Sequence, residues 1–283
     1  MTTDLSIVIV TYNSGGEIGE CLDSLLRRPP RLAHETIVVD NASADGTSDL
    51  IRRQWPSVRV IDAGENVGFA RASNIGIRHS AGRLVLLLNP DTIVPADGLD
   101  RLAAALDLRP DAAIAGPRLV DGDGRPELSC GAMIAPLAEL RQKVLVMGSQ
   151  RGVPLLRGYV DRLTRRPREV GWVSGACLLV RRADADAAGL LDERYFMYAE
   201  DVDFCAAMRA RGRKVLYLPV TDVVHLRGRS AASAARATDD AYRRSQVAFY
   251  DKHHPHWAPL LRAYLRVRGK LPDATADPPR PTR

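Results

Sequence analysis

Three carboxylates lie within four residues, Glu200, Asp201 and Asp203, directly after the aromatic run Tyr195-Phe196-Met197-Tyr198. Acids in the first turn of a helix are stabilised by its dipole by about 0.3–1 kcal/mol each. That accounts for one or two of them, but not for the apolar flank of Tyr195, Phe196, Met197, Tyr198 and Phe204. Such a flank partly desolvates the acids, which raises a carboxylate's pKa and suits it to general-base work. A further carboxylate, Asp91, follows the wholly apolar run Leu84–Leu88, with Asn89 and Pro90 between. Placed there, a hard oxygen ligand suits Mg²⁺ or Mn²⁺ held against a substrate's phosphates. His225, closing Asp222-Val223-Val224-His225, is either a structural imidazole or a second ligand to an ion that Asp91 alone would hold sparsely.

The remaining candidates sit where other apolar runs end. They are Thr11, Tyr12 and Asn13 after Val10, Asp40 and Asn41 after Val39, and the segment Asn66-Val67-Gly68-Phe69 with Asn74. The chain has neither GxGxxG after its first strand nor GxxxxGK[ST], so the backbone phosphate cradles of dinucleotide and P-loop folds are missing. A nucleotide would therefore need a metal and side chains. Thr11, Asn13, Asp40 and Asn66 offer donors and acceptors for a base edge, and Tyr12 a stacking face. Each has a plainer role open to it: Asn13 capping the first helix, Asp40 and Asn41 capping one that begins near Thr47, Asn66 in a turn. Four such endings on adjacent strands favour a ligand.

These residues need a scaffold that brings strand ends to one edge. Leu5–Val10, Thr36–Val39, Val58–Ile61 and Leu84–Leu88 read as strands, separated by helical spacing at 17–26, 47–54 and 70–79. This alternation predicts βαβ units and a mainly parallel sheet, whose ligands sit beyond the carboxyl ends of the strands. A helix over 97–108 follows, then strand segments at 112–115 and 117–120. Residues 135–170 are weakly patterned and read as a variable insertion. Beyond it come a strand-like run over 172–181 interrupted by Gly175, a helix over 202–211, strand segments at 215–218 and 223–225, and helices over 234–253 and 257–268. The Pro-rich tail from 272 reads as disordered.

The 283 residues are 46% hydrophobic, enough for a sizeable core, and no stretch approaches the roughly 18 apolar residues of a membrane span. The start lacks a signal-peptide pattern, and Cys21, Cys130, Cys177 and Cys205 are scattered without CxxC, so a reduced cytoplasmic protein is expected. The net charge of +6 is concentrated. Residues 139–169 carry eight basic residues against three acids, a net of +5, and residues 257–283 carry +4, leaving −3 elsewhere. A membrane surface or a phosphorylated substrate would match those segments, as would plain solvation of charged faces. Nucleic acid is not expected, because no binding module appears.

Taken together, these residues resemble the family 2 inverting glycosyltransferases, from about Leu5 to about Ser230. The resemblance rests on Val10-Thr11-Tyr12-Asn13, Asp40-Asn41-Ala42-Ser43 and Glu200-Asp201-Val202-Asp203. The segment Asn66-x-Gly68-Phe69-Ala70-x-x-x-Asn74-x-Gly76, with Asn89-Pro90-Asp91 and Trp172-Val173-Ser174-Gly175-Ala176 followed by Arg181-Arg182, is similar to bacterial rhamnosyltransferases of cell-wall and O-antigen synthesis. The resemblance implies an α/β fold of the GT-A type, a central mainly parallel sheet flanked by helices. It implies a catalytic domain over 1–230, with a nucleotide half to 120 and an acceptor half beyond, then a helical extension over 231–271. Asp201 would be the general base and Glu200 would position the acceptor hydroxyl. Thr11, Tyr12, Asn13, Asp40, Asn66, Gly68, Asn74, Asn89 and Asp91 would bind the nucleotide-sugar. Trp172 and Gly175 would line the acceptor side, and Asp91 with His225 would hold Mg²⁺ or Mn²⁺. Two departures stand out: Asn89 replaces the first acid of the DxD motif, and Ser73 stands where many members have Arg.

The expected reaction is a single displacement moving a sugar, L-rhamnose from dTDP-rhamnose, onto a lipid-linked or cell-surface glycan at the inner membrane face. A UDP-sugar donor for a galactofuranosyl-, glucosyl- or N-acetylhexosaminyltransferase is the alternative, and a non-catalytic nucleotide-sugar binding protein another. A nucleotidyltransferase would need a basic Gly-rich first loop, and Gly15-Gly16 has no Lys or Arg nearby. Helix 257–268, with Trp257, Leu260, Leu261, Tyr264 and Leu265 beside Arg262, Arg266 and Arg268, suits either a peripheral membrane contact or ordinary packing.

Overall fold

The computed structural model describes residues 3–151, 153–226 and 235–272. The tail expected to be disordered lies almost wholly outside them. The first half alternates strand and helix: β1 (Leu5–Thr11), α1 (Ile18–Leu26), β2 (His34–Asp40), α2 (Thr47–Gln54), β3 (Arg59–Asp62), α3 (Phe69–Arg78) and β4 (Leu84–Leu88). Next come β5 (Thr92–Ile93), α4 (Gly98–Asp107) and β6 (Ala112–Val120). The second half holds β7 (Cys130–Gly131), α5 (Pro136–Gln150), α6 (Pro154–Thr164), β8 (Arg168–Glu169), β9 (Trp172–Val173), β10 (Cys177–Arg181) and α7 (Arg182–Ala188). It closes with α8 (Glu200–Ala210), β11 (Lys214–His225), α9 (Ala235–His253) and α10 (Ala258–Val267).

Strands of both halves share one sheet in the order β3-β2-β1-β4-β10-β6-β11-β5, with β8 against β11. The pairs β2–β3, β1–β2, β1–β4 and β6–β11 are parallel, while β10 runs antiparallel to both of its neighbours. The carboxyl ends of β1, β2, β4, β6 and β11 therefore share one edge with the amino end of β10.

Why the Leu84–Leu88 run is apolar throughout follows from its neighbours. Leu84, Leu86 and Leu88 face a layer containing α1 and α4, whereas Val85 and Leu87 face one containing Ala70 and Ile77 of α3 and Val202, Cys205 and Met208 of α8. A strand buried on both faces has no polar alternation to show. Each such side chain contributes about 1.5–3 kcal/mol on burial. Helix α1 buries Ile18, Cys21, Leu22 and Leu25, the i, i+3, i+4, i+7 stripe of an amphipathic helix.

Several elements differ from the sequence-based expectation. Residues expected as a patternless insertion contain α5 and α6, helices that leave Val144, Met147 and Leu155 exposed and so carry little apolar periodicity. The run at 172–181 is two strands, β9 and β10, divided at Ser174-Gly175-Ala176. Conversely, each of the two split segments at 112–120 and 215–225 is one strand. Pro117 and Pro219, which lack a ladder donor, sit where the β6–β11 register shifts between Tyr217 and Asp222. Helix α10 buries only part of its expected apolar cluster: Leu265 is buried and Leu261 packs against the core, but Trp257, Leu260 and Tyr264 are exposed.

Candidate active site

The edge shared by β4, β10 and β11 carries the acidic residues. Asn89 donates its backbone N–H to the Ala176 carbonyl at 3.0 Å, extending the antiparallel β4–β10 pair past Leu88. Strand β5 pairs antiparallel with the end of β11, placing His225 opposite Thr92, and Leu226 donates to the Asp91 carbonyl at 2.8 Å. Asp91 and His225, far apart in sequence, thus meet: Asp91 Oδ1 lies 3.3 Å from His225 Nε2. On the other side of the ring, Nδ1 lies 3.2 Å from Glu127 Oε2. Burial works against charge on this imidazole, but Asp91 and Glu127 outweigh it and push the His225 pKa up to about 9. The Asn89 amide nitrogen lies 3.4 Å from Nε2.

Glu127 gave no signal in the sequence. It follows the turn Asp121-Gly122-Asp123-Gly124 and reads as loop, yet its N–H donates to the Leu119 carbonyl at 2.9 Å, folding it back beside the end of β6. A ligating His almost always has an acceptor behind its other ring nitrogen, commonly a carboxylate. Asp91, His225 and Glu127 have the chemistry and order of a carboxylate–His pair with such a support. Among the described residues, no group of three or more His, Cys, Asp or Glu is arranged to hold a metal ion. The residues fit Mg²⁺ or Mn²⁺ as a partial set, with a diphosphate and water completing the coordination.

Glu200 and Asp201 open α8. The chain enters through Tyr198 and Ala199, both left-handed with φ of 71° and 66°, a conformation that costs non-glycine residues roughly 1–3 kcal/mol each. Asp201 Oδ2 accepts the Gly175 N–H and Oδ1 accepts the Val202 N–H, both at 2.8 Å. Burial raises the Asp201 pKa, and these two donors oppose the rise. Glu200 is raised further, by burial and then by the charge of Asp201. Its Oε2 has no hydrogen-bond partner among the described residues. The two environments differ: two backbone donors favour charge on Asp201, while burial and the neighbouring charge disfavour it on Glu200. Asp203, the third acid, has another purpose. It accepts from Tyr195 Oη at 3.2 Å and Lys252 Nζ at 2.8 Å, with His253 Nε2 at 2.6 Å, tying α8 to α9.

At the ends of β1 and β2 the expected residues do meet. Thr11 Oγ1 donates to Asp40 Oδ1 at 2.9 Å, and Asp40 also accepts the Ser43 hydroxyl and N–H. Asn13, left-handed at φ 51°, donates its N–H to Ser43 Oγ and accepts from the Ala44 N–H, both at 2.8 Å. Tyr12 lies beside them, half-buried. A carboxylate has about four lone-pair sites, so Asp40 retains capacity for a base.

Other expected site residues make structural contacts. Asn74 is 1% exposed and its amide is bonded to both the N–H and the carbonyl of Leu191, and to Glu193. It clamps α3 to the loop before the acids. Asn66 accepts the Gly68 N–H in a local turn. Gly68, at φ 83°, is where a Cβ would collide with the Phe196 backbone, and the next N–H, of Phe69, donates to the Phe196 carbonyl at 2.7 Å. Glycine there permits close approach of the two halves. Trp172 belongs to the core, packed against Gly131 on the neighbouring strand. Gly175 supports Asp201 through its N–H. Arg181 and Arg182 lie at the opposite end of β10, donating to carbonyls of Leu106, Ala112, Ile77 and Gly82.

Comparison with known proteins follows the same lines. The Glycosyl transferase family 2 model matches residues 6–187. An N-acetylglucosaminyl-diphospho-decaprenol L-rhamnosyltransferase of Mycobacterium tuberculosis is 33% identical over 96% of this chain and 95% of its own length. Among solved structures, the mannosyltransferase PcManGT from Pyrobaculum calidifontis in complex with GDP-Man and Mn²⁺ superposes with a TM-score of 0.60 at 20% identity, over 93% of this chain and 69% of that one. S. aureus TarS 1–349 in complex with UDP-GlcNAc gives 0.58 at 18% identity, over 96% and 74%.

Proposed function

The chain belongs to glycosyl transferase family 2, and from that premise we propose that it transfers L-rhamnose from dTDP-rhamnose, with inversion, to a hydroxyl of a polyprenyl-diphosphate-linked saccharide. The observation that carries the mechanism is the Asn89–Ala176 hydrogen bond next to the Gly175–Asp201 one. Those two bonds join the end of β4, before Asp91, to the Ser174–Ala176 turn that holds Asp201, which supports reading Asp91 as the diphosphate-side carboxylate and Asp201 as the base. The sugar and the lipid-linked acceptor are supported by the 33% identical relative, whose name specifies both.

Asp201 accepts the proton of the acceptor hydroxyl while that oxygen attacks the anomeric carbon from the face opposite the diphosphate. The bond from that carbon to the diphosphate oxygen breaks, and the leaving group takes the electron pair. The N–H groups of Gly175 and Val202 keep Asp201 ionised and aimed, since an ideal base has a pKa moved toward the working pH without being protonated there. Protonated Glu200 offers the hydroxyl a hydrogen bond and fixes its approach. Thr11, Tyr12, Asn13 and Asp40 receive the base, with Asn66 at the rim. Asp91 and His225, once its imidazole has given up its proton, would hold a divalent ion, with Glu127 fixing the ring. When bound, that ion neutralises charge developing on the diphosphate.

No helix among the described residues is long and apolar enough to cross a membrane. A peripheral position at the inner membrane face fits a lipid-linked acceptor. The test is a thermal-shift screen of dTDP-rhamnose against UDP-glucose, UDP-GlcNAc and UDP-galactofuranose, with and without Mn²⁺. The largest stabilisation is expected for dTDP-rhamnose with Mn²⁺. Larger stabilisation by a UDP-sugar overturns the donor assignment, and a product that retains the donor's anomeric configuration overturns the inversion.

A further inference from the structure

Helix α10 has two apolar faces where its packing uses one. Ala258, Leu261 and Leu265 face inward, onto the core and α9. Trp257, Leu260, Tyr264 and Val267 recur at spacings of three, four and three residues, which places them on one other face. They are 50% to 88% exposed. Among the described residues nothing buries this second stripe. Its surroundings are basic: from Trp257 to Pro272 the chain contains Arg262, Arg266, Arg268 and Lys270 and no acid. Arg262 pairs with Asp251 and Lys270 with Asp239, while Arg266 and Arg268 are exposed, Arg268 at the border of the stripe by its helical position.

We propose that α10 is a docking helix for an anionic phospholipid bilayer. It lies in the plane of the surface, with Trp257, Leu260, Tyr264 and Val267 at the boundary of headgroups and acyl chains. The residue types carry the choice of partner. Trp and Tyr favour the headgroup level, where one end of the ring is apolar and the other wet. Arginines on long stems keep their charge among lipid phosphates while their methylenes cover apolar surface. A second copy of the chain is a poor occupant, because a two-fold contact through this stripe would bring together two segments that each carry four basic residues and no acid.

The helix is coupled to the chemistry through α9. Ser245 Oγ donates to the Met197 carbonyl at 2.7 Å, three residues before Glu200, and Lys252 and His253 grip Asp203 on α8. Docking α10 therefore holds the base-bearing loop near the surface in which a lipid-linked acceptor would reside. That consequence rests on the acceptor proposed above; the docking itself does not.

The test is flotation of the full chain with vesicles of phosphatidylglycerol and phosphatidylcholine, compared with phosphatidylcholine alone, alongside the variant L260S/Y264S/V267S. Wild type should partition at least tenfold more strongly onto anionic vesicles, weakening with salt, and the variant should lose at least tenfold of that binding with an unchanged melting temperature. Equal binding by the variant, or no binding by wild type, overturns the proposal. So does a dimer in light scattering that the variant dissociates. Donor-sugar hydrolysis is measured on the same samples. Normal hydrolysis without vesicle binding removes only the docking surface, whereas vesicle binding without hydrolysis removes only the transferase mechanism.

Discussion

Asp201 and Glu200 differ in what surrounds their oxygens, and the roles proposed for them rest on that difference. Two backbone donors hold the charge of Asp201, while Glu200 is buried against it with one oxygen unpartnered among the described residues. Both carboxyls titrate above their ordinary ranges. The base must be ionised, so kcat/KM is expected to fall as pH drops through the raised Asp201 pKa, above the normal aspartate range; a profile flat to pH 4 contradicts this. Stability has the opposite sign. A carboxyl whose folded pKa is raised costs the fold stability once pH rises through that pKa. Glu200→Gln should therefore raise Tm at pH 8, by a gain that vanishes near pH 4, and differential scanning fluorimetry checks it. Glu127→Ala should weaken Mn²⁺ binding roughly 10–100-fold, the range for losing a partner behind a ligating His, as read by electron paramagnetic resonance. The acids at 200, 201 and 91 were readable because charge beside an apolar run is unusual. Glu127 was not, because a loop acid in a turn-rich segment is ordinary until the fold brings it to His225.

The elements that aim these groups rely on a few backbone positions. Tyr198 and Ala199 both take left-handed backbone before α8. A β-branched side chain tolerates that region poorly, so Ala199→Val should cost about 1–3 kcal/mol and lower Tm without altering donor Kd. Asn74 is a sharper case, because its place in the sequence pattern suggested the nucleotide while its amide bonds the Leu191 backbone. Asn74→Ala leaves buried partners unsatisfied, at about 1–3 kcal/mol for each. The expected result is a lower Tm with donor Kd unchanged in a calorimetric titration; a weaker Kd at unchanged Tm returns Asn74 to the nucleotide site. Strands buried on both faces were evident from their unbroken apolar runs. Helices α5 and α6 were hidden because exposed apolar residues blur their periodicity. The β9–β10 break was marked by Gly175, whose purpose became plain only when its N–H met Asp201.

The two halves of the chain form one sheet, and the C-terminal helices lock onto it through charge. Asp203 is 2% exposed, and although burial opposes it, His253 and Lys252 bring its pKa below the ordinary value. Lys252 is itself exposed and His253 and Tyr195 would still hold Asp203, so Lys252→Met should destabilise at pH 7 by about 1.5–3 kcal/mol, the worth of a hydrogen bond to a charged group. The deficit should shrink only as pH falls below the ordinary aspartate value and protonates Asp203, a dependence readable from urea unfolding at pH 7 and pH 3. The sheet and the βαβ order could be read from local pattern, but the union of Asp91 with His225 and of α8 with α9 depends on long-range pairing that periodicity does not encode. The central claim is that one edge of this sheet binds a sugar nucleotide while Asp201 removes the acceptor proton. The most direct test is Asp201→Asn measured twice, by donor titration and by single-turnover transfer. Donor Kd should stay within about twofold, and the transfer rate should fall roughly 10²–10⁴-fold, the usual worth of a general base. Transfer within a few-fold of wild type at unchanged Kd would contradict the account.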